Sequence, residues 1–142
     1  MSGDETNINE LYQEIIVDHS KHPRNCGPDA SATHHQEGYN PLCGDNVTLH
    51  MHVANGRIGK VSFEGQGCAI SRASASLLTQ TLQGKTVDEA KALIQSFRRL
   101  LLDKDAPIDP ALGDAVLLQS VKRFPVRIKC ALLAWNTLSE IL

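Results

Sequence analysis

A strand, a tight turn and a second strand at residues 47–63 constrain the fold more than any other part of the sequence. Apolar and polar side chains alternate from Val47 to Val53, and this period of two is typical of a strand with one buried face. Asn55-Gly56 follows, the dipeptide that most strongly favours a two-residue hairpin turn. A second strand is therefore predicted from Ile58 to Phe63. The resulting antiparallel sheet needs other elements to cover its apolar face.

Helical periodicity lies on both sides of this hairpin. Asn7 is expected to cap a first helix that ends before Pro23, because a residue that precedes proline avoids helical backbone angles. Apolar residues recur at helical spacing between Cys68 and Gly84, and Thr86 to Glu89 forms a capping box for the next helix. The polar residues 29–39 suit a loop or a short edge strand. Asp109 is expected to cap a short helix with Pro110 at its first position, and a last helix follows Pro125. Strands followed by helices predict an α+β fold, in which a small antiparallel β-sheet is covered by helices on one face.

The composition limits the class of protein. The chain has 142 residues, of which 42% are hydrophobic and 21% charged, so residues 1–142 suffice for a single domain with its own core. A net charge of −2 argues against nucleic acid or an anionic membrane as a partner. No apolar run is long enough to predict a membrane-spanning helix. The acidic start of the chain is unlike a secretory signal, so a cytoplasmic protein is expected.

In a reducing cytoplasm, four cysteines favour a metal site or reactive sulfur over disulfides. Cys43 and Asp45 flank a glycine at the entrance to the first strand, where a tight turn can bring both side chains to one ion. Cys68 opens a helix, and the amides and partial charge of a helix N-terminus favour a thiolate. Cys130 lies beside two cations, Arg127 and Lys129, which also favour a thiolate. Together these residues supply the donors of a tetrahedral zinc site, although each cysteine alone also suits a packed structural role.

Other residues offer further chemistry. Arg127 precedes Cys130 by about one helical turn and could stabilise a thiolate or a persulfide there. His50 and His52 share one strand face and could form a ligand pair, with a position facing water or another element as the alternative. Cys26, in a turn between Asn25 and Gly27, is expected to be an ordinary surface cysteine.

Several motifs together resemble the U-type iron–sulfur cluster assembly family, which includes IscU and the N-terminal domain of NifU. The matching segments cover nearly the whole chain and are residues 18–19, 23–25, 40–45, 65–71 and 124–135. The resemblance implies that Cys43, Asp45, Cys68 and Cys130 form a metal and sulfur site. It also implies a cysteine desulfurase as partner.

Two features resemble the SufU branch of that family. Lys129 stands where IscU-like scaffold proteins usually have a histidine, and the segment at about residues 84–105 resembles a SufU helical insertion. This resemblance implies a zinc-containing protein of SUF-type cluster assembly that accepts persulfide sulfur from a SufS-like cysteine desulfurase. It would pass the sulfur towards a downstream iron–sulfur scaffold. The protein would then be a sulfurtransferase-like partner of the desulfurase and not a stand-alone enzyme.

Within such a site, Cys43 is the expected sulfur acceptor, because a loop ligand can leave the metal with less disruption than a helical one. The main alternative is a scaffold in which Cys43, Cys68 and Cys130 hold an iron–sulfur cluster or iron. A zinc hydrolase is disfavoured, because four protein ligands leave no open position and no H-E-x-x-H motif is present.

Overall fold

The computed structural model describes residues 13–142. Its sheet has three antiparallel strands in the order β1-β2-β3. These strands are β1 (His34–Asn40), β2 (Asp45–Ala54) and β3 (Arg57–Glu64). The two strands predicted around the Asn-Gly turn are confirmed as β2 and β3. The polar segment that precedes them was predicted to be a loop or a short edge strand. It forms the edge strand β1.

Helices follow the sheet in the chain and one precedes it. Residues 13–21 are helical and are called α1. The later elements are α2 (Ala69–Leu82), α3 (Val87–Leu102), a 3-10 segment (Pro110–Val121) and α4 (Pro125–Ser139). The helix end before Pro23 and the capping box at Thr86 are confirmed, since Thr86 and Glu89 exchange both capping hydrogen bonds. The cap expected at Asn7 lies outside the described residues.

The β2–β3 hairpin follows directly from its turn residues. Asn55 and Gly56 have φ angles of 54° and 73°, the left-handed values that a two-residue type I′ turn requires at both central positions. Ala54 and Arg57 pair on either side of the turn. This register places Val47, Leu49 and Met51 on the buried face of the central strand.

The core lies between the inner face of the sheet and the helices. Helix α2 packs against α4 and against β3, and α4 also contacts β1 and β2. Phe97 of α3 stacks on Trp135 of α4 with ring centroids 4.0 Å apart and planes inclined by 11°. Each buried side chain of this size stabilises the fold by about 1.5–3 kcal/mol relative to an exposed one. The α+β architecture with helices on one face of the sheet, in a single domain, is thus confirmed.

The segment after α3 differs from a simple short helix. Asp109 caps it as predicted, accepting a 2.9 Å hydrogen bond from the Ala111 backbone N–H. The turns that follow are of the tighter 3-10 type, and Gly113, with φ 57°, kinks the segment. In the part of the chain from residue 13 onwards, none of the helices has both the length and the apolar character needed to cross a membrane.

Candidate metal and sulfur site

The first two candidate ligands lie on the hairpin that joins β1 to β2. Asn40 and Asp45 pair across the two strands, and residues 41–44 form the turn between them. The turn is closed by a 3.3 Å hydrogen bond from the Cys43 N–H to the Asn40 carbonyl, and Gly44 has a left-handed φ of 69°. Cys43 is therefore exposed at the tip of the hairpin. Asp45, as the first residue of the central strand, is only 1% exposed.

Cys68 is fixed at the start of α2. It is the N-cap residue, and its Sγ accepts a hydrogen bond from the Ser71 N–H at 3.4 Å. Its own backbone N–H donates to Asp45 Oδ1 at 2.9 Å. Its thiol lies 3.7 Å from Asp45 Oδ2. The Asp45 carboxylate therefore links the sheet to the N-terminus of α2.

Cys130 enters the site from α4 and is 2% exposed. The neighbouring turn of α4 is tied to α2 through Ser74, whose hydroxyl donates to the Ala131 carbonyl at 2.5 Å and accepts from Trp135 Nε1 at 2.9 Å. This buried contact fixes the position of α4 relative to the helix that Cys68 begins. The Asn40 Nδ2 group lies 3.9 Å from the Cys130 sulfur.

Three of the four donors meet at one point, and the fourth lies beside them. Cys43 Sγ and Cys130 Sγ are 3.2 Å apart, and the ligand atoms of Cys43, Asp45 and Cys130 all lie within 4.8 Å of one another. Cys68 joins this group through Asp45. Four donors in a tetrahedron around zinc, with bonds of about 2.0–2.3 Å, would lie about 3.3–3.8 Å apart. The Cys43–Cys130 separation of 3.2 Å and the Cys68–Asp45 separation of 3.7 Å lie close to this spacing, so these donors suit a zinc ion.

The protonation of Cys130 differs from the sequence prediction. The pKa of its thiol is raised, first by burial and then by hydrogen bonding with Cys43, Asp45 and Cys68. Burial therefore opposes the thiolate that Arg127 and Lys129 were predicted to favour, and both cations are exposed on α4. A cation at the centre of the donors would remove this conflict, since metal ligation deprotonates thiols.

Comparison with known proteins supports the same conclusion as the sequence motifs. The model of the NifU-like N-terminal domain matches residues 11–131, which is most of the chain. The chain belongs to the NifU-like N-terminal domain family.

Individual members of this family resemble the chain over most of their length. It is 39% identical to the zinc-dependent sulfurtransferase SufU of Bacillus subtilis, over 94% of this chain and 90% of that protein. It is also 39% identical to the iron–sulfur cluster assembly scaffold protein IscU of Streptococcus pyogenes, over 94% of this chain and 83% of that protein. Among solved structures, a SUF-system cluster assembly scaffold protein from Fervidobacterium islandicum superposes with a TM-score of 0.84 at 38% identity, covering 89% of this chain and 93% of that one.

Arg127 and Lys129 are the two cations that precede Cys130 in α4. Arg127 is exposed, and its guanidinium carbon lies 4.8 Å from the centroid of the Phe124 ring. In the described part of the chain it makes no hydrogen bond to a cysteine sulfur. Lys129, directly before Cys130, is also exposed.

The histidines of β2 occupy the outer face of the sheet and bind other partners. The Nε2 of His50 lies 2.8 Å from Glu64 Oε2, and its Nδ1 lies 2.6 Å from Nδ1 of His35. His52 Nε2 lies instead 2.8 Å from Asp29 Oδ2. Within residues 13–142, the histidine nitrogens are not among the ligand groups that converge on one point. Of the two alternatives for this pair, the structure therefore favours contact with other elements.

Asn40 is the site residue that the sequence analysis did not identify. Its side chain touches both the Cys43 turn and the Cys130 sulfur. A signal for the first contact was present, because asparagine side chains commonly bond the backbone two residues further on in turns. The second contact depends on the packing of α4 against β1, which has no local signature.

Proposed function

We propose that this protein is an iron–sulfur cluster assembly protein of the SUF type. In this proposal it holds zinc through Cys43, Asp45, Cys68 and Cys130, and it accepts persulfide sulfur from a SufS-like cysteine desulfurase. The observation that carries the proposal is that the ligand atoms of Cys43, Asp45 and Cys130 lie within 4.8 Å of one another, with the Cys68 thiol 3.7 Å from Asp45 Oδ2. The protein acts as a sulfurtransferase-like partner in the cytoplasm and passes the sulfur to a downstream scaffold.

Cys43 is proposed as the acceptor because the other donors are held by hydrogen bonds from N–H groups. Cys68 accepts from the Ser71 N–H, and Asp45 accepts from the Cys68 N–H. Cys130 is buried beside the amide of Asn40. Among residues 13–142, by contrast, the Cys43 sulfur has a hydrogen-bond contact only with the Cys130 sulfur. An exposed sulfur on a turn can move to meet a partner without disturbing a helix.

The proposed transfer is a thiol exchange in which electrons balance. The Cys43 thiolate attacks the outer sulfur of the desulfurase persulfide, a new sulfur–sulfur bond forms, and the desulfurase cysteine leaves as a thiolate. Cys43 then carries the persulfide. Arg127, exposed about one turn before Cys130, is the cation proposed to stabilise a thiolate or persulfide at the site. Zinc, when bound, keeps the site thiols deprotonated and ordered.

Two features support the SufU branch within the family. Lys129 occupies the position before Cys130, so α4 offers no histidine as an additional cluster ligand there. The segment at about residues 84–105, which we propose is the branch's insertion, contains α3 with its own capping box. Its Phe97 packs on Trp135 of the helix that carries Cys130.

The acceptor is tested by brief treatment with a cysteine desulfurase and cysteine, followed by mass spectrometry of the peptides. We expect an added sulfur on the Cys43 peptide of the wild-type chain and none in Cys43→Ala. Cys26→Ala is the matched control, because Cys26 is also an exposed thiol but lies outside the donor group. A persulfide on Cys130 in the wild type that persists in Cys43→Ala would overturn the assignment.

The metal is tested by elemental analysis and X-ray absorption of the purified chain. We expect one zinc per chain with three sulfur ligands and one oxygen ligand, at about 2.3 Å and about 2.0–2.2 Å. Cys68→Ala should lose the metal and lower the free energy of unfolding, because metal binding is coupled to folding. A spectrum with two nitrogen ligands would contradict the proposed donor set.

The second candidate function is a scaffold on which an iron–sulfur cluster is assembled. It is favoured by the equal 39% identity to the Streptococcus pyogenes scaffold protein IscU. Its ligands would be Cys43, Cys68 and Cys130. Anaerobic reconstitution with iron and sulfide distinguishes the two. A cluster that survives desalting, in a chain that does not stimulate desulfurase turnover, would establish the scaffold instead.

A further inference from the structure

The side chain of Asn40 bridges the two elements that carry Cys43 and Cys130. Its Oδ1 accepts a hydrogen bond from the Leu42 N–H at 3.2 Å, and its backbone carbonyl accepts from the Cys43 N–H at 3.3 Å. Its Nδ2 donates to the Cys130 sulfur at 3.9 Å. One residue therefore shapes the turn of the first cysteine and contacts the sulfur of the other.

The orientation of this amide is fixed by its surroundings. If the group were reversed, its NH₂ would face the Leu42 N–H, donor against donor, and its oxygen would face the Cys130 sulfur. The hydrogen-bond network therefore selects the orientation that presents an N–H to Cys130. Asn40 is 7% exposed, so little water competes for this contact.

An N–H donor stabilises negative charge on a sulfur and makes that sulfur less nucleophilic. Cys68 has such a donor in the Ser71 backbone N–H. Asn40 supplies the equivalent donor for Cys130 from a side chain, whereas no N–H group within residues 13–142 bonds the Cys43 sulfur. These two N–H groups therefore make the sulfurs of Cys68 and Cys130 less nucleophilic than the sulfur of Cys43.

We propose that Asn40 is a positioning residue that determines which cysteine accepts sulfur. Its amide retains Cys130 as a fixed ligand, and its contacts with the turn hold Cys43 as the reactive thiol at the exposed tip of the hairpin. This inference rests on the proposed function, since it concerns the same zinc and sulfur site. Asn40 acts through the two cysteines and takes no part in the exchange of bonds.

The test uses Asn40→Asp, which retains an acceptor for the Leu42 N–H but removes the donor to sulfur. The matched control is Asn46→Asp, which adds the same charge next to Asp45. Asn46 Oδ1 only accepts from the Gln66 N–H, a role that a carboxylate retains. Zinc affinity is measured by competition with a chelator. The persulfide distribution between the Cys43 and Cys130 peptides is measured by mass spectrometry after desulfurase treatment.

We expect Asn40→Asp to bind zinc about 10–100-fold more weakly, the usual effect of removing a group that orients a ligand. We also expect persulfide to be found on Cys130 as well as Cys43, whereas Asn46→Asp resembles the wild type in both measurements. An Asn40→Asp chain with wild-type zinc affinity and persulfide on Cys43 alone would overturn the inference. A wild-type chain that binds no zinc and accepts no sulfur would instead contradict the proposed function itself.

A measurement on the wild type covers the case in which Asn40→Asp fails to fold. The chain is loaded with an NMR-active cadmium isotope, and scalar coupling is sought between cadmium and the side-chain amide protons of Asn40. Such coupling passes through N–H···S hydrogen bonds, so the Ser71 N–H that bonds Cys68 is an internal positive control. Coupling at Ser71 without coupling at Asn40 would refute the proposed contact.

Discussion

Gly67 lies where the backbone passes closest to the Asp45 carboxylate. An ideal Cβ at this position would be 2.9 Å from Asp45 Oδ1 and 3.1 Å from Ser71 Oγ, closer than carbon and oxygen atoms normally approach. Asp45 cannot move away freely, because Oδ1 also accepts the Cys68 N–H. Glycine is therefore required here by the site and not by the turn alone.

The prediction is that Gly67→Ala displaces the carboxylate and weakens zinc binding by about tenfold. The free energy of unfolding should fall by about 1–3 kcal/mol, as for other overpacking substitutions. Chelator competition and urea denaturation measure the two effects. Gly59→Ala is the control, because its Cβ would meet the nearest atom, His52 Cβ, at an ordinary 3.6 Å. Equal zinc affinity in the Gly67→Ala and Gly59→Ala chains would contradict the role assigned to Gly67.

Local sequence could identify candidate ligands but not their environment. A cysteine and an aspartate around a glycine, and a cysteine at a helix start, are visible patterns, and Cys43, Asp45 and Cys68 were predicted from them. The raised pKa of Cys130 was not predictable in the same way. Its charged sequence neighbours point to solvent, and its spatial neighbours come from residues far away in the chain.

At the scale of elements, β1 packs on α4 through a glycine. A Cβ on Gly38 would overlap the Thr137 hydroxyl, which is itself held by a 2.7 Å hydrogen bond to the Leu133 carbonyl. This close approach lets the edge strand lie directly against the helix that carries Cys130. It thereby sets the distance between Asn40, at the end of the same strand, and the Cys130 sulfur.

Gly38→Ala should lower the free energy of unfolding by about 1–3 kcal/mol because it overpacks this contact. The double variant Gly38→Ala/Thr137→Ala should recover part of the loss, with a coupling energy of about 0.5–3 kcal/mol. Urea denaturation of the wild type, both single variants and the double variant completes the cycle. Strictly additive effects would show that the strand and the helix do not meet as described.

Elements with strong local signals were predictable from sequence, and those that depend on packing were less so. The Asn55-Gly56 turn and the Thr86 capping box each specify their own geometry, so the hairpin and the start of α3 were predicted. The segment His34–Asn40 is an edge strand and lacks a buried alternating pattern. For that reason its sequence could not distinguish a strand from a loop. The 3-10 geometry after Asp109 follows from packing and the kink at Gly113.

At the scale of the whole molecule, the site exists only when the fold is complete. Its donors come from the β1–β2 hairpin, the start of α2 and the middle of α4, and the two cysteine sulfurs in contact are 87 residues apart in the chain. No spacing rule brings such distant residues together, so local patterns could not predict their convergence. The resemblance of the motifs to a known family supplied that part of the prediction.

A second long-range contact, between α1 and α2, makes the stability of the molecule depend on pH. His19 is 3% exposed, and its Nδ1 lies 2.7 Å from the Ser76 hydroxyl, which also accepts the Arg24 backbone N–H at 2.8 Å. Burial, and secondarily the Arg24 cation, lower the pKa of His19 below its ordinary value of 6.5. Burial in the folded chain therefore favours the neutral ring, to which the hydroxyl of Ser76 can donate.

The sign of the effect follows from proton binding in the two states. Below about pH 6.5 the unfolded chain protonates His19 more fully than the folded chain does, so the unfolded state binds more protons and the free energy of unfolding falls as the pH decreases. Asp29 affects the free energy of unfolding in a separate, lower pH range. The Ser31 and His52 hydrogen bonds lower its pKa from 3.8 to about 2, so its contribution is lost only as the pH falls through that range.

We predict that His19→Gln flattens the decline in stability below about pH 6.5, because the variant removes the proton that the unfolded chain takes up. Urea denaturation of zinc-loaded wild type and variant at several pH values measures the slopes. The difference between the two profiles cancels the pH dependence that both chains share through the metal ligands. His22→Gln, at an exposed position on the same segment, is the control and should keep the wild-type slope. A His19→Gln profile parallel to the wild type would show that His19 is protonated equally in the folded and unfolded states, contrary to its burial against Ser76.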